Sequence, residues 1–275
     1  MHQIQLLKKY GLSVRGARGQ HLLIDENIQR KFVALVNPQA GERIIEIGPG
    51  LGAVTEPLLK SGAEIIAIEQ DERFVQVLKG ELGEDFKNLK LVHADILKTD
   101  LKKYAEGEYS LRVCGNIPYY ITSGILLYLI AHRRWIDSAY LTVQSEIADR
   151  IFAQPGTKDY GRLSLLLRFY TDPRRAFEIS RHCFSPEPDV DSTTIAFTFR
   201  RKLPDSFDEQ ALFDLIQAGF SGRRKNILNA LTNGWKGRMT KPAIEAALKA
   251  SGIEPTARAE QLMLKDFIRL AEKIN

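Results

Sequence analysis

Arg43-Ile44-Ile45-Glu46-Ile47-Gly48-Pro49-Gly50-Leu51-Gly52 is the stretch from which the rest of the chain can be read. Its first half is a short β-branched apolar run, which predicts a buried strand. The run enters a glycine-rich turn and leaves into a helix through Thr55, Leu58 and Leu59. Strand, glycine turn and helix in that order form the first half of a nucleotide-type βαβ unit. Glycines let the main chain approach a ligand closely, and a helix N-terminus favours electron-rich groups. The fold class expected from this stretch is α/β.

Working outward, a second strand (Ile65 to Ile68) ends at Glu69. An acid at that tip is placed to accept hydrogen bonds from both hydroxyls of a ribose. A helix through Phe74, Val75, Val77 and Leu78 leads to a third strand (Leu89 to Val92), which closes on His93-Ala94-Asp95-Ile96. Asp95 thus stands just beyond a strand's C-terminal end, where open α/β sheets bind ligands. The fourth strand, Val113-Cys114, runs into Gly115-Asn116-Ile117-Pro118-Tyr119-Tyr120. Proline fixes its own φ and drives Ile117 into an extended conformation. Asn116 then offers a side-chain oxygen, Ile117 a main-chain oxygen and Tyr119 a flat face. Two acceptors beside a stacking surface suit a planar ring bearing an exocyclic amine. Taken alone, an ordinary strand-end turn would use the same residue types. Four successive strand ends with polar or glycine-rich chemistry on one rim separate the two readings.

Residues before Asp25 are polar, basic and glycine-punctuated, and are expected to form an arm (1–24) ending in Gly19-Gln20-His21-Leu22-Leu23. Asp25 fits a helix N-cap. Beyond the fourth strand come a fifth (Tyr140 to Val143), helices over Glu146 to Phe152 and Leu165 to Phe169, and late strands over Phe177 to Ile179 and Thr194 to Phe199. A proline-stiffened loop, Phe184 to Ser192, joins the late strands. Arg200 to Pro204 reads as a linker, and helical periodicity alone follows it. The expected organisation is an α/β domain over 1–200 and a small helical domain over 201–275.

The chain has 275 residues, 44% hydrophobic and 27% charged, enough for one sizeable core and a small second domain. The longest apolar run, Ile125 to Ala131, is too short to span a bilayer, and the N-terminus lacks a signal-peptide layout. The expectation is a cytoplasmic protein. Two cysteines and five histidines without ligand-like spacing give no reason to expect a metal. Net charge is +5. Basic clusters such as Arg133-Arg134, Arg174-Arg175 and Arg223-Arg224-Lys225 favour a phosphate-rich partner. With no heptad or sticky patch, a monomer is expected.

A nicotinamide enzyme would show G-x-G-x-x-G. Here Gly48, Gly50 and Gly52 follow Glu46, a variant better suited to S-adenosylmethionine, with Glu69 on its ribose and Asp95 accepting from its adenine amine. Asparagine, any residue, proline, aromatic is the signature of amino methyltransferases acting on nucleobases. At this point the chain resembles the KsgA family of small-subunit rRNA adenine dimethyltransferases over essentially its whole length. The resemblance is carried by Gly19 to Asp25, Glu46 to Gly52, Glu69, Asp95, Gly115 to Tyr119, Val143 to Arg150, Lys158 to Leu163, Phe184 to Ser192 and Phe220 to Lys225.

The resemblance implies a Rossmann-like class I S-adenosylmethionine-dependent methyltransferase domain with a helical C-terminal domain for RNA recognition. It implies transfer of two methyls to each of two adjacent adenines in a hairpin loop near the 3′ end of small-subunit (16S) rRNA, on the 30S subunit or its precursor. Cofactor contacts would fall to Gln20, His21, Leu23, Gly48, Gly50, Glu69, Asp95, Ile96 and Asn116. Catalysis would fall to Asn116, Ile117, Pro118 and Tyr119, with Phe184 covering the second face of the adenine. Arg223, Arg224 and Lys225 would hold rRNA phosphates. One position departs from the family: Gly19-Gln20-His21-Leu22-Leu23 stands where Gly-Gln-Asn-Phe-Leu is usual, so His21 brings one hydrogen bond with a different reach. Two alternatives share parts of this pattern. An erythromycin-resistance type methyltransferase of large-subunit rRNA has the same Asn-Ile-Pro-Tyr block but is disfavoured by Lys158 to Leu163 and Phe220 to Lys225. A non-catalytic RNA-binding factor would not need Asn116, Pro118 and Tyr119 together.

Overall fold

The computed structural model describes residues 3–14, 20–83, 85–203, 208–222, 224–235 and 238–274. The first elements in chain order are α1 (Gln3–Lys9), β1 (Leu22–Leu23), α2 (Glu26–Val36), β2 (Arg43–Ile47), α3 (Thr55–Lys60), β3 (Glu64–Glu69), α4 (Glu72–Leu82), β4 (Leu89–His93), β5 (Leu111–Asn116) and α5 (Thr122–Ala131). They are followed by β6 (Ile136–Gln144), α6 (Ser145–Phe152), α7 (Arg162–Tyr170), β7 (Thr171–Ile179), β8 (Phe184–Ser185) and β9 (Ser192–Phe199). Four helices close the chain: α8 (Glu209–Gly219), α9 (Ile227–Gly234), α10 (Lys241–Ala250) and α11 (Leu264–Ile274).

Seven strands form one sheet in the order β4-β3-β2-β5-β6-β9-β7. β4, β3, β2, β5 and β6 run parallel, and β9 is antiparallel to β6. β2, β3 and β5 are almost wholly buried, which is why they read as continuous isoleucine- and valine-rich runs rather than alternating ones. From β2 the chain moves outward through β3 and β4, then returns to place β5 on the other side of β2. The switch point of the sheet therefore lies between the C-terminal ends of β2 and β5, where open α/β sheets form their ligand crevice. Near the opposite ends of the strands ion pairs tie the edge, with Arg43 Nη2 2.7 Å from Glu64 and Arg112 Nη1 2.6 Å from Glu42.

By Cα packing the chain forms two units, residues 1–148 with 173–199, and residues 149–172 with 200–275. The division is not a single cut near residue 200: residues 149–172, placed with the α/β part by the sequence reading, group with the helices, because α7 packs on α8 and α11. Within this second unit the Tyr160 hydroxyl donates to the Leu262 carbonyl (3.0 Å). Three of its helices, α8, α9 and α10, start where side chains cap them, at Asp208, Asn226 and Thr240.

One local feature differs from the sequence expectation. The basic arm opens with a helix, α1, whose Gln3 and Leu6 are buried. Leu6 joins Leu22, Leu51, Phe74 and Val77 in one apolar cluster, so apolar residues spread through a polar stretch order it. The apolar run at Ile125 lies in α5, with Ile125, Leu126 and Leu129 fully buried in the core.

Candidate active site

The switch point carries an open cleft, the crevice in which open α/β sheets bind ligands. It is lined from one side by Glu46, Gly48, Pro49, Gly50 and Glu69, from another by Asn116, Ile117, Pro118 and Tyr119, and across the top by Gln3, Gln20, His21, Leu22 and Leu23.

The β2 side is a main-chain cradle backed by acids. Gly50 holds φ +58, and a Cβ there would lie 3.1 Å from Leu22 Cδ2, so glycine serves both conformation and space. The Gly50 amide donates to Glu69 Oε2 (3.1 Å) and the Asp71 amide to Glu69 Oε1 (2.9 Å). Burial raises the Glu69 pKa, and these two amides pull against the rise. Glu46 is 2% exposed, and its Oε2 has no hydrogen-bond partner among the described residues. Burial pushes its pKa up to about 7; the Thr55 hydroxyl tempers this and the Glu69 charge adds to it. A buried carboxyl with an idle oxygen facing a cleft is a site for a cation.

The β5 side is neutral. Gly115 passes so close to β2 that a Cβ would sit 2.3 Å from the Ile47 carbonyl oxygen. Beyond it, Asn116 Nδ2 donates to the His21 carbonyl (2.8 Å). That bond fixes which way the amide faces and leaves Oδ1 buried without a partner among the described residues. The Ile117 amide donates to the Thr142 carbonyl (3.3 Å). The Pro118 carbonyl is taken by the Ile121 amide (3.3 Å) and the Thr122 hydroxyl (3.2 Å). The Tyr119 hydroxyl lies 2.7 Å from Ser192 Oγ, and burial raises its pKa.

The structure brings together Gln20, His21, Leu23, Gly48, Gly50, Glu69, Asn116, Ile117, Pro118 and Tyr119 from the sequence-derived set. His21 arrives differently from expectation. Its ring stacks on Tyr119, with centroids 5.2 Å apart and planes at 23°, while Nδ1–H donates to the Pro186 carbonyl (2.6 Å). Phe184 is a correction: it does not line the cleft. β8 pairs with β1, Leu23 opposite Phe184, and the ring is 2% exposed in a cluster with Leu23 and Ile179. Asp95 and Ile96 also stand outside the lining residues. Ile96 is buried, and Asp95 Oδ1 accepts from the Leu97 amide (2.9 Å). Both still belong to the same rim, since the Ala94 amide donates to the Glu69 carbonyl (3.0 Å). In the second unit Arg224 and Lys225 are exposed just before α9; Arg223 lies outside the described residues.

Sequence reasoning gave no site role to three residues. Glu46 was legible as the one acid in a run of isoleucines. Ser192, fully buried, closes the loop after Phe184 and gave no signal of its own. Gln3, 3% exposed and lining the cleft, sits in a polar N-terminal stretch that nothing in the sequence marks out.

The family model for ribosomal RNA adenine dimethylases matches residues 11–275. The chain belongs to the ribosomal RNA adenine dimethylase family. Curated relatives of this dimethylase include the ribosomal RNA small subunit methyltransferase A of Shouchella clausii, 38% identical over 98% of this chain and 92% of that protein. The protein of the same name from Streptococcus mutans is 40% identical over 98% and 94%. Among solved structures, a dimethyladenosine transferase from Plasmodium falciparum aligns with TM-score 0.75 at 26% identity, covering 91% of this chain and 96% of the other. The 23S rRNA methyltransferase ErmE, at TM-score 0.66 and 24% identity over 92% and 99%, shares the fold. The fold is thus the Rossmann-like one of S-adenosylmethionine-dependent methyltransferases, and the dimethylase uses S-adenosylmethionine. The cleft fits that cofactor: a glycine cradle with a buried, unpaired carboxylate oxygen on one side and an unpaired amide oxygen on the other.

Proposed function

We propose that this chain dimethylates two adjacent adenines in the hairpin near the 3′ end of small-subunit rRNA, acting as a cytoplasmic monomer on the small subunit or its precursor. The observation that carries the reading is the buried, unpartnered Oδ1 of Asn116, held toward the cleft by the bond from Nδ2 to His21.

When bound, S-adenosylmethionine supplies an electrophilic methyl on a cationic sulfur. The residues of this chain do the rest. The lone pair of an adenine amine is delocalised into its ring, so the amine is a poor nucleophile, and removing a proton from it first is hard and unnecessary. Asn116 Oδ1 and the Ile117 carbonyl accept hydrogen bonds from its N–H groups, localise the lone pair and aim it; once methylated, the nitrogen is cationic and sheds its surplus proton to water. Alignment and fixed dipoles of this kind supply several kcal/mol of a barrier. Tyr119 stacks the base, which must leave its RNA stack to reach the cleft. Pro118 sets the geometry of the Ile117 carbonyl, and its own carbonyl is already occupied.

On the cofactor side, Glu69 takes the ribose hydroxyls, Asp95 with Ile96 the adenine, Gly48 and Gly50 the main-chain contacts, and Gln20, His21 and Leu23 the top of the cleft. Glu46 is the counter-ion for the ammonium of the methionine end. Phe184 acts through Leu23, against which it packs, rather than on the base. In the second unit Arg224 and Lys225, with Arg223, hold rRNA phosphates; neutralising the described pair should reduce the slope of log affinity against log salt by roughly one per lost contact.

The test is incubation of the purified protein with labelled S-adenosylmethionine and unmethylated small or large ribosomal subunits, with modified bases located by mass spectrometry. Paired dimethyladenosines in small-subunit rRNA alone are expected. Label confined to large-subunit rRNA would overturn the reading.

A further inference from the structure

We propose that Tyr120, with Leu97 and Lys98 beside it, is a second base platform that holds the nucleotide adjoining the target adenine outside the cleft. The inference rests on the proposed rRNA reading and adds a residue to its substrate contacts. Tyr119 and Tyr120 open the same short 3-10 turn, Tyr119–Ile121, in which successive side chains point about 120° apart. Tyr119 is tied inward through Ser192. Tyr120 consequently faces away from the cleft and is 61% exposed, more than any other large apolar side chain among the described residues.

Around it lies a shelf with the chemistry of a nucleotide. Leu97 is itself 37% exposed. It rests over Gly124, whose added Cβ would meet Leu97 Cδ1 at 3.6 Å. Gly124 follows Tyr120 by four residues, near the start of α5, and adds no side chain to the surface there, its neighbour Ser123 only a small one. Lys98 adjoins Leu97 with its side chain 85% exposed, and its ion pair to Asp95 spans a loose 4.0 Å. An aromatic face, an aliphatic edge and an exposed cation match a base, a sugar and a phosphate.

The physical need is plain. When one base swings out onto Tyr119, the neighbouring base loses a stacking partner and turns an apolar face to water. A ring one residue along the chain replaces that partner, at the stacking strength open to any base. With two adjacent adenines as substrate, the second waits on Tyr120 while the first is in the cleft.

The experiment compares wild type, Tyr120→Ala and Tyr120→Trp. One readout is the fluorescence of a small-subunit rRNA hairpin carrying 2-aminopurine beside the target adenine, which stacking quenches. The other is the split of KM and kcat on unmethylated small subunits. Wild type and Tyr120→Trp are expected to quench the probe and Tyr120→Ala to lose quenching. KM of the alanine variant should rise roughly 5- to 20-fold with little change in kcat, and with cofactor affinity and Tm retained. Wild-type activity with an alanine variant that quenches and binds equally well overturns the platform alone. A loss in kcat at unchanged KM also overturns it, since the ring would then act in the transfer step. A wild type that neither quenches the probe nor methylates small subunits overturns the rRNA reading and the platform with it.

Discussion

The turn after β2 and the turn after β5 leave neighbouring parallel strands at the same edge of the sheet, yet they handle charge in opposite ways. The first is backed by Glu46 and Glu69, both buried and both with raised pKa values. The second presents an amide oxygen, a main-chain carbonyl and an aromatic ring, with no charge at all. The ligands explain the contrast. A sulfonium amino acid is cationic and is favoured by acids held in low dielectric. An adenine amine is neutral and attacks before it loses a proton, which can pass to water once the nitrogen is cationic, so a carboxylate beside it is not required. The two turns thus divide the work into holding a cation and aiming a lone pair.

If that division is right, substitutions in the two turns should fail in different assays. Asn116→Ala should lower turnover roughly 100- to 1,000-fold, the scale for removing one preorganised polar contact from a transition state. Cofactor affinity, read by isothermal titration, should change little; a matching loss of both would end the division. Gly50→Asp should do the reverse. It forces a side chain onto φ +58 against Leu22 and adds a further acid to the cradle. Cofactor affinity should fall roughly 10- to 100-fold at 1–3 kcal/mol of backbone strain, while rRNA still binds in a gel-shift assay.

A smaller effect sharpens the contrast through pH. Glu46 titrates at about 7 in the folded chain against a usual 4.5, so between those values the folded state keeps a proton that the unfolded state has lost. Ligand-free stability therefore falls as pH rises through that window, by up to about 3 kcal/mol; the raised Glu69 acts in the same direction. Cofactor binding needs the ionised form, so affinity should climb over the same range. Glu46→Gln should flatten both trends, and thermal melts at pH 5.5 and 8 with and without cofactor would show it. An unflattened affinity profile would move the counter-ion role elsewhere. Smallest of all, Ser192→Ala removes the 2.7 Å partner of the Tyr119 hydroxyl. About 1 kcal/mol should appear as a severalfold drop in turnover at unchanged cofactor affinity. No change would show that stacking on His21 alone holds the ring.

Much of this was written in local sequence. Strands buried on both faces announce themselves as β-branched runs, and a chemistry-bearing residue at each strand end follows from topology, so Gly48, Gly50, Glu69 and Asn116 were legible. What stayed hidden depends on contacts far apart in the chain. The roof of the cleft is set by β1 pairing with β8 across some 160 residues, and that pairing puts Phe184, to which only the resemblance gave a base-facing role, in the core. His21 meets Tyr119 only through that same roof. α1 is ordered by a handful of leucines landing on α4, a tertiary override of a polar stretch. The grouping of residues 149–172 with the helical unit likewise reflects packing partners that come later in the chain.

The missing side chain at Gly115 has a consequence for how the enzyme can vary. Because a single methyl there would collide with the Ile47 carbonyl, the spacing between donor and acceptor is written in main chain, like a fixed jaw gauge. A substitution at Gly115 would push the β5 turn off β2 and reset that gauge, whatever side chains stand around the jaws.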